Sequence, residues 1–149
     1  MASGKAHARA SLILAIPAGV VAGIGLDSVL VGLGAAVGSV LGIALTPDLD
    51  QEHITYFEWK LMRKTGPLAF LWMLLWSPYS LAIPHRSRLS HFPILGTFRR
   101  LLYIVIVVGV AWLLLGRPEV YFPVWLQTLG LGMVIGLVVS DIAHWIMDF

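Results

Sequence analysis

Long apolar runs separated by short polar breaks dominate the chain. They span Ser11–Leu26, Ser28–Thr46, Pro67–Ile83, Leu101–Leu115 and the stretch from Pro123 to the C-terminus, which turns polar at Ser140. A membrane-crossing helix needs roughly 20 apolar residues, within a range of about 17 to 25. The first, second and fifth runs reach that length. The fourth is short, and Phe98, Arg99 and Arg100 are expected to extend it by snorkelling to the interface. The third carries Pro78, which removes a helical hydrogen bond, and Trp72, Trp76 and Tyr79, which favour the membrane–water interface. The pattern predicts an all-α integral membrane helix bundle: one domain over residues 1–149, four crossing helices, and one interfacial or re-entrant segment at 67–83. A signal-peptide reading of the first run, behind Lys5 and Arg9, is disfavoured. Equally apolar runs follow it, and no clean cleavage site stands out.

Composition agrees. Of 149 residues, 58% are hydrophobic and 12% charged, against about half and about a quarter in soluble domains. That excludes a disordered chain, a nucleic-acid-binding tail and an ordinary soluble enzyme. The absence of cysteine excludes disulfides, thiolate metal sites and cysteine nucleophiles. Any metal must be held by His, Asp or Glu. The net charge is only +2, so the placement of charge matters more than its sum. With four crossings, Lys5, Arg9, Lys60, Arg63, Lys64, Arg86, Arg88, Arg99 and Arg100 share one side, and Arg117 lies alone on the other. The positive-inside rule makes the crowded side cytoplasmic, with both termini there. The expected location is the bacterial cytoplasmic (inner) membrane.

Gly34, Gly38 and Gly42 recur every fourth residue, as do Gly19 with Gly23 and Gly132 with Gly136. Such ridges let helices approach closely in lipid, and packing is their expected role.

The scarce polar residues gather in four places. His7 is placed just before the first helix. Asp48 and Asp50 follow the second, in Thr46-Pro47-Asp48-Leu49-Asp50. His85 and His91 sit in a loop with Arg86 and Arg88. Asp141, His144 and Asp148 end the last helix, where helical spacing puts them within about 60° of one another. An ionisable residue in or beside a membrane segment is a functional candidate by default. In an extended segment Asp48 and Asp50 would point the same way, and adjacent carboxylates repel unless a cation or proton lies between them. Arg86 and Arg88 suit an anionic group, or anionic lipid headgroups. In the four-crossing arrangement all four clusters fall on the cytoplasmic face, whereas Asp27 and Glu119 lie opposite with no histidines. His53 reads as a bystander.

The ordered set of His7, Pro47-Asp48-Leu49-Asp50, His85-Arg86, Ser90-His91 and Ser140-Asp141-Ile142-Ala143-His144-Trp145-Ile146-Met147-Asp148 resembles the YdjM-like family of membrane-bound metal-dependent hydrolases. It is similar also to the sister family of uncharacterised metal-binding membrane proteins. The likeness covers nearly the whole chain and implies a metal site more firmly than a substrate. These families are distantly similar to zinc-dependent phospholipase C and related nucleases, which bind clustered zinc through His and Asp. The resemblance assigns metal ligation to His7, Asp48, Asp50, His85, His91, Asp141, His144 and Asp148. Eight candidates exceed the four ligands of one tetrahedral zinc, so two divalent ions are expected. Zinc leads, and manganese or iron also suit the ligand types.

The leading expectation is a metal-dependent hydrolase at the cytoplasmic membrane face, acting on a phosphoester such as a lipid phosphate. Asp50 would serve as general base, and Arg86 or Arg88 would hold the phosphate. Membrane lipid is the expected partner and nucleic acid is not. The alternative is a non-catalytic metal-binding scaffold or partner subunit. A metal transporter fits less well, because transport sites lie near the midplane.

Overall fold

The structure is a computed structural model that describes residues 3–50, 53–84 and 92–148. Among these residues there is helix and turn and no strand. Helix α1 covers Gly4–Gly25, α2 Val29–Leu41, α3 Tyr56–Thr65, α4 Ala69–Ala82, α5 Pro93–Leu114 and α6 Val124–Asp148. A short 3-10 turn occupies Pro47–Asp50. Helices α1, α5 and α6 are each long and apolar enough to cross a membrane.

Local chemistry sets the boundaries, and several differ from the sequence expectation. The Ser3 side chain caps α1 by accepting from the Ala6 amide, which satisfies an otherwise orphaned donor. The helix therefore begins well before Ser11, and His7 lies within its first two turns instead of preceding it. Ser28 caps α2 in the same way. That helix has 13 residues, about 20 Å at 1.5 Å per residue, short of the roughly 30 Å hydrocarbon core. Its last turn tightens: Ile43 and Ala44 bond to carbonyls three residues back, at 3.0 and 2.9 Å, before Pro47 forbids a regular helix at Thr46.

Helix α5 departs the other way. Pro93 occupies its first turn, where a missing N–H costs nothing, and the helix reaches 22 residues. Arg100 is thereby drawn inside, 2% exposed, and does not snorkel. Nor does Pro78 end α4, which runs through it. The carbonyl that Pro78 would leave free, on Leu74, accepts from the Ser77 hydroxyl at 2.9 Å. Trp76 and Tyr79 turn inward. They pack with Leu49 and with Tyr103 of α5, whose hydroxyl donates to the Leu75 carbonyl.

The packing is the inverse of a soluble core. Ile13, Ile16, Val21, Ile24, Val29 and Leu81 are outward-facing, while Ala15, Ala18, Ala22 and Ala35 are buried. The largest fully buried side chains are Arg100, Thr97, Asp50, Asp141 and Ser39. In lipid there is no hydrophobic gain from clustering leucines, so small residues and polar links hold helices together. Helix α2 lies between α1 and α6. A side chain on Gly34 or Gly38 would collide with the backbone of α6 at Leu129–Met133, and one on Gly132 or Gly136 with that of α2. The Ser39 hydroxyl donates to the Ser11 carbonyl at 2.8 Å, and the Ser11 and Ser140 hydroxyls pair at 2.7 Å, fastening α1, α2 and α6 at one level.

Replacing Gly38 with Val should therefore destabilise the bundle by about 1–3 kcal/mol, the usual cost of overpacking. Gly109→Ala, where nothing lies within 4 Å of the added carbon, should be neutral or slightly stabilising. Thermal unfolding of the two variants in detergent checks the contrast.

Candidate metal centre

One end of the bundle collects the polar groups. His7 comes from the start of α1, Thr46 and Asp48 from the segment after α2, and His144 and Asp148 from the end of α6. On α6, His144 and Asp148 are one turn apart and so share a face. His7 and His144 are buried, at 8% and 5% exposure. Their rings stack with centroids 3.8 Å apart and planes 14° from parallel. Both Nε2 atoms converge on one carboxylate: His7 Nε2 lies 3.2 Å from Asp148 Oδ1, and His144 Nε2 lies 3.3 Å from Asp148 Oδ2. Asp48 Oδ1 approaches His144 Nε2 at 3.5 Å. On the far side of that ring, Thr46 Oγ1 is 3.5 Å from Nδ1. The Thr46 hydroxyl also accepts from the Asp48 amide at 3.4 Å, so one threonine orients both residues.

These separations fit a metal. A tetrahedral ion with bonds of about 2.0–2.1 Å has ligand atoms about 3.3–3.4 Å apart; the imidazoles lie at that distance from Asp148, His7 from its Oδ1 at 3.2 Å and His144 from its Oδ2 at 3.3 Å. His7, His144 and Asp148 each offer a donor atom within 4.8 Å of the others'. Beside them is a cavity of about 20 Å³ lined by His7, Asp48, Thr46, Tyr56 and His144, among others. That is room for about one water molecule or ion.

Asp141 occupies the turn before His144 and makes different contacts. Its Oδ2 accepts from Thr97 and from Arg100 of α5, all three side chains being 1–2% exposed. Among the described residues Asp141 Oδ1 and Arg100 Nη1 have no hydrogen-bond partner. Asp50 is also buried, at 1%, and within electrostatic reach of Tyr79. In a 3-10 turn, residues two apart are rotated by about 240°. Asp48 and Asp50 therefore do not point the same way, as they would in an extended segment: Asp48 faces His144, and Asp50 is packed toward α4. His85, Arg86, Arg88 and His91 lie outside the described residues. His53 is exposed and lines a separate cleft of about 300 Å³ between the 3-10 turn, α3 and α4.

Sequence reasoning did not single out Thr46, Thr97, Ser11 or Ser140 as partners, and read Arg100 as an interface residue. The available signal was spacing. Thr97 and Arg100 are three apart, and Ser11 and Ser140 each lie one turn from a candidate histidine.

The arrangement defines a class: a helical bundle of membrane type whose polar end has the donor set and spacing of a divalent-metal site. The sequence profile of a family described as uncharacterized metal-binding protein (DUF2227) matches residues 2–149. The chain belongs to that family. No curated protein and no solved structure matches it.

The Arg100–Asp141 pair yields a stability prediction. Arg100→Met strands a buried carboxylate and should cost about 3–5 kcal/mol, whereas the double variant Arg100→Met/Asp141→Leu should recover most of the loss. Thr97→Val removes one hydrogen bond to a charged group and should cost about 1–3 kcal/mol. Unfolding measured across the three variants checks the order.

Proposed function

We propose that this protein is a metal-dependent hydrolase working at the cytoplasmic face of the bacterial inner membrane on a phosphoester such as a lipid phosphate. The observation that carries the reading is the small cavity at the donor cluster. If His7, His144 and Asp148 ligate while Asp48 stays beside the cavity, a fourth position is left for water, the pattern of catalytic rather than purely structural zinc. An ion bound there supplies Lewis acidity and makes water a better nucleophile near neutral pH.

The chain's own residues then have separate tasks. Asp148 sits between the two Nε2 atoms and holds both imidazoles in register. Thr46 fixes the orientation of His144, the kind of outer contact that tunes a metal ligand. Asp48, half-buried and beside the cavity, is the carboxylate best placed to take a proton from water. Asp50 is the further candidate for that role, and Arg86 and Arg88 are proposed to hold the phosphate. Zinc, manganese and iron all suit these ligand types. A second ion would draw on Asp50, Asp141, His85 and His91.

A non-catalytic reading is favoured by a different observation. If Asp48 Oδ1, 3.5 Å from His144 Nε2, is instead the fourth donor, a bound ion would clamp three parts of the chain: α1, the segment after α2, and α6. Chelation distinguishes the two. A hydrolase should lose phosphoesterase activity, assayed on a phospholipid and a soluble phosphodiester, while its unfolding temperature falls by only a few degrees. A clamp should unfold on metal removal, with no activity to lose.

Metal content is predicted directly. Detergent-purified protein should carry near-stoichiometric divalent metal by elemental analysis. His144→Ala and Asp148→Ala should remove nearly all of it, and His53→Ala should leave it unchanged. A metal-free wild type, even after incubation with zinc, manganese or iron, would overturn the proposal.

A further inference from the structure

Helix α3 turns most of one face away from the rest of the described chain, with only Tyr56, at its start, resting against Gly4 of α1. A capping box starts it: the Thr55 amide donates to Glu58 Oε2 at 2.8 Å, and the Glu58 amide to Thr55 Oγ1 at 3.2 Å. This turns the only acidic side chain of α3 inward, where it is 7% exposed. At 100° per residue, Trp59, Arg63, Tyr56, Lys60 and Lys64 then fall within an arc of about 140°. Lys60, Arg63 and Lys64 are exposed, and Trp59 is 47% exposed. Lys60 Nζ stands 5.3 Å over the Tyr56 ring, and the Arg63 guanidinium 5.0 Å over the Trp59 ring. None of the three cations has a carboxylate partner among the described residues.

We infer that this stripe is a binding surface for anionic phospholipid headgroups, with α3 lying flat at the membrane surface. Three features select that occupant. The cations have no carboxylate partner among the described residues and would be complementary to lipid phosphates. Tryptophan and tyrosine prefer the headgroup level, and here they are paired with those cations on one face. Exposed apolar side chains also follow the stripe directly in the chain, Leu68 just before α4 and Leu71 within it. Basic residues next to spanning segments read as contacts to anionic lipid, and a helix with this division of faces lies in the interface. The inference concerns α3 and holds whether or not the metal centre is catalytic. If both hold, headgroup phosphates are gathered next to the cavity, because Tyr56 belongs to the stripe and also lines the cavity.

The test uses the full chain in nanodiscs of phosphatidylcholine mixed with phosphatidylglycerol, released for native mass spectrometry. Wild type should retain phosphatidylglycerol in preference. The preference should fall by about fivefold per cation removed, and the triple variant Lys60→Gln/Arg63→Gln/Lys64→Gln should lose most of it. The conservative Lys60→Arg/Lys64→Arg should keep it, and raised salt should weaken it. Equal retention of both lipids by wild type, or an unchanged preference in the triple variant, overturns the inference. Displacement of the bound lipid by inorganic phosphate alone would overturn it too, since the site would then be a soluble-anion site. A second readout needs no lipid counting. The chain has no cysteine, so Lys64→Cys can carry a single spin label on the stripe itself. Accessibility should place that label at headgroup depth in the nanodisc, and a label in bulk water would refute the flat-lying helix.

Discussion

The close backbone approach of α2 to α6 is the constraint on which the rest of the structure depends. In a lipid-facing bundle, apolar side chains gain nothing by leaving the bilayer for one another. Contact has to come from backbones brought near enough for many small attractions to add up. Gly34 and Gly38 on one helix and Gly132 and Gly136 on the other make that possible, because a single added carbon at any of them meets opposing backbone. The seam also sets the rotation of α6. With that rotation, Ser140 meets Ser11, and His144 meets both His7 and the segment ending at Asp48. A pattern of small residues without chemistry of its own thus decides where the chemistry lies.

A second seam, between α5 and α6, works by charge. Arg100 and Thr97 reach Asp141 in a place where none is more than 2% exposed. A buried ion pair contributes little net stability compared with well-packed apolar groups, but breaking it from one side is costly. Such a pair therefore penalises alternative registers of α5 along α6 more than it strengthens the correct one. His144 is one turn beyond Asp141, so the same pair constrains the height of the candidate ligand above the helix core.

Much of this was legible in the sequence, and the misses have physical causes. The all-helical membrane character followed from the length of the apolar runs, and the glycine ridges were legible as packing surfaces. His7, Asp48, His144 and Asp148, drawn from three separate regions, do converge at one end. Helix lengths were harder. Hydropathy finds where apolar residues stop, but a helix stops where its hydrogen bonds do. Ser3 extended α1 across polar residues, Pro93 started α5 above its apolar run, and the turn at 42–45 cut α2 short inside its own. The fate of the two carboxylates at 48 and 50 depended on whether that segment was extended or a 3-10 turn, which alternation alone does not decide. Arg100 was misplaced for the same reason as α5: two extra turns moved it from the rim to the interior.

His7 and Asp148 meet across 141 positions of the chain. No nascent chain that stops short of α6 can hold this site, because α1 must wait for it. The stacked histidine pair does not exist until α6 has been made, inserted and turned to the right face. Loop-closure entropy grows only slowly with loop length, so the delay is kinetic more than thermodynamic. Metal capture at this cluster would accordingly mark molecules in which α1 and α6 have met, and would distinguish them from molecules in which the two are still apart.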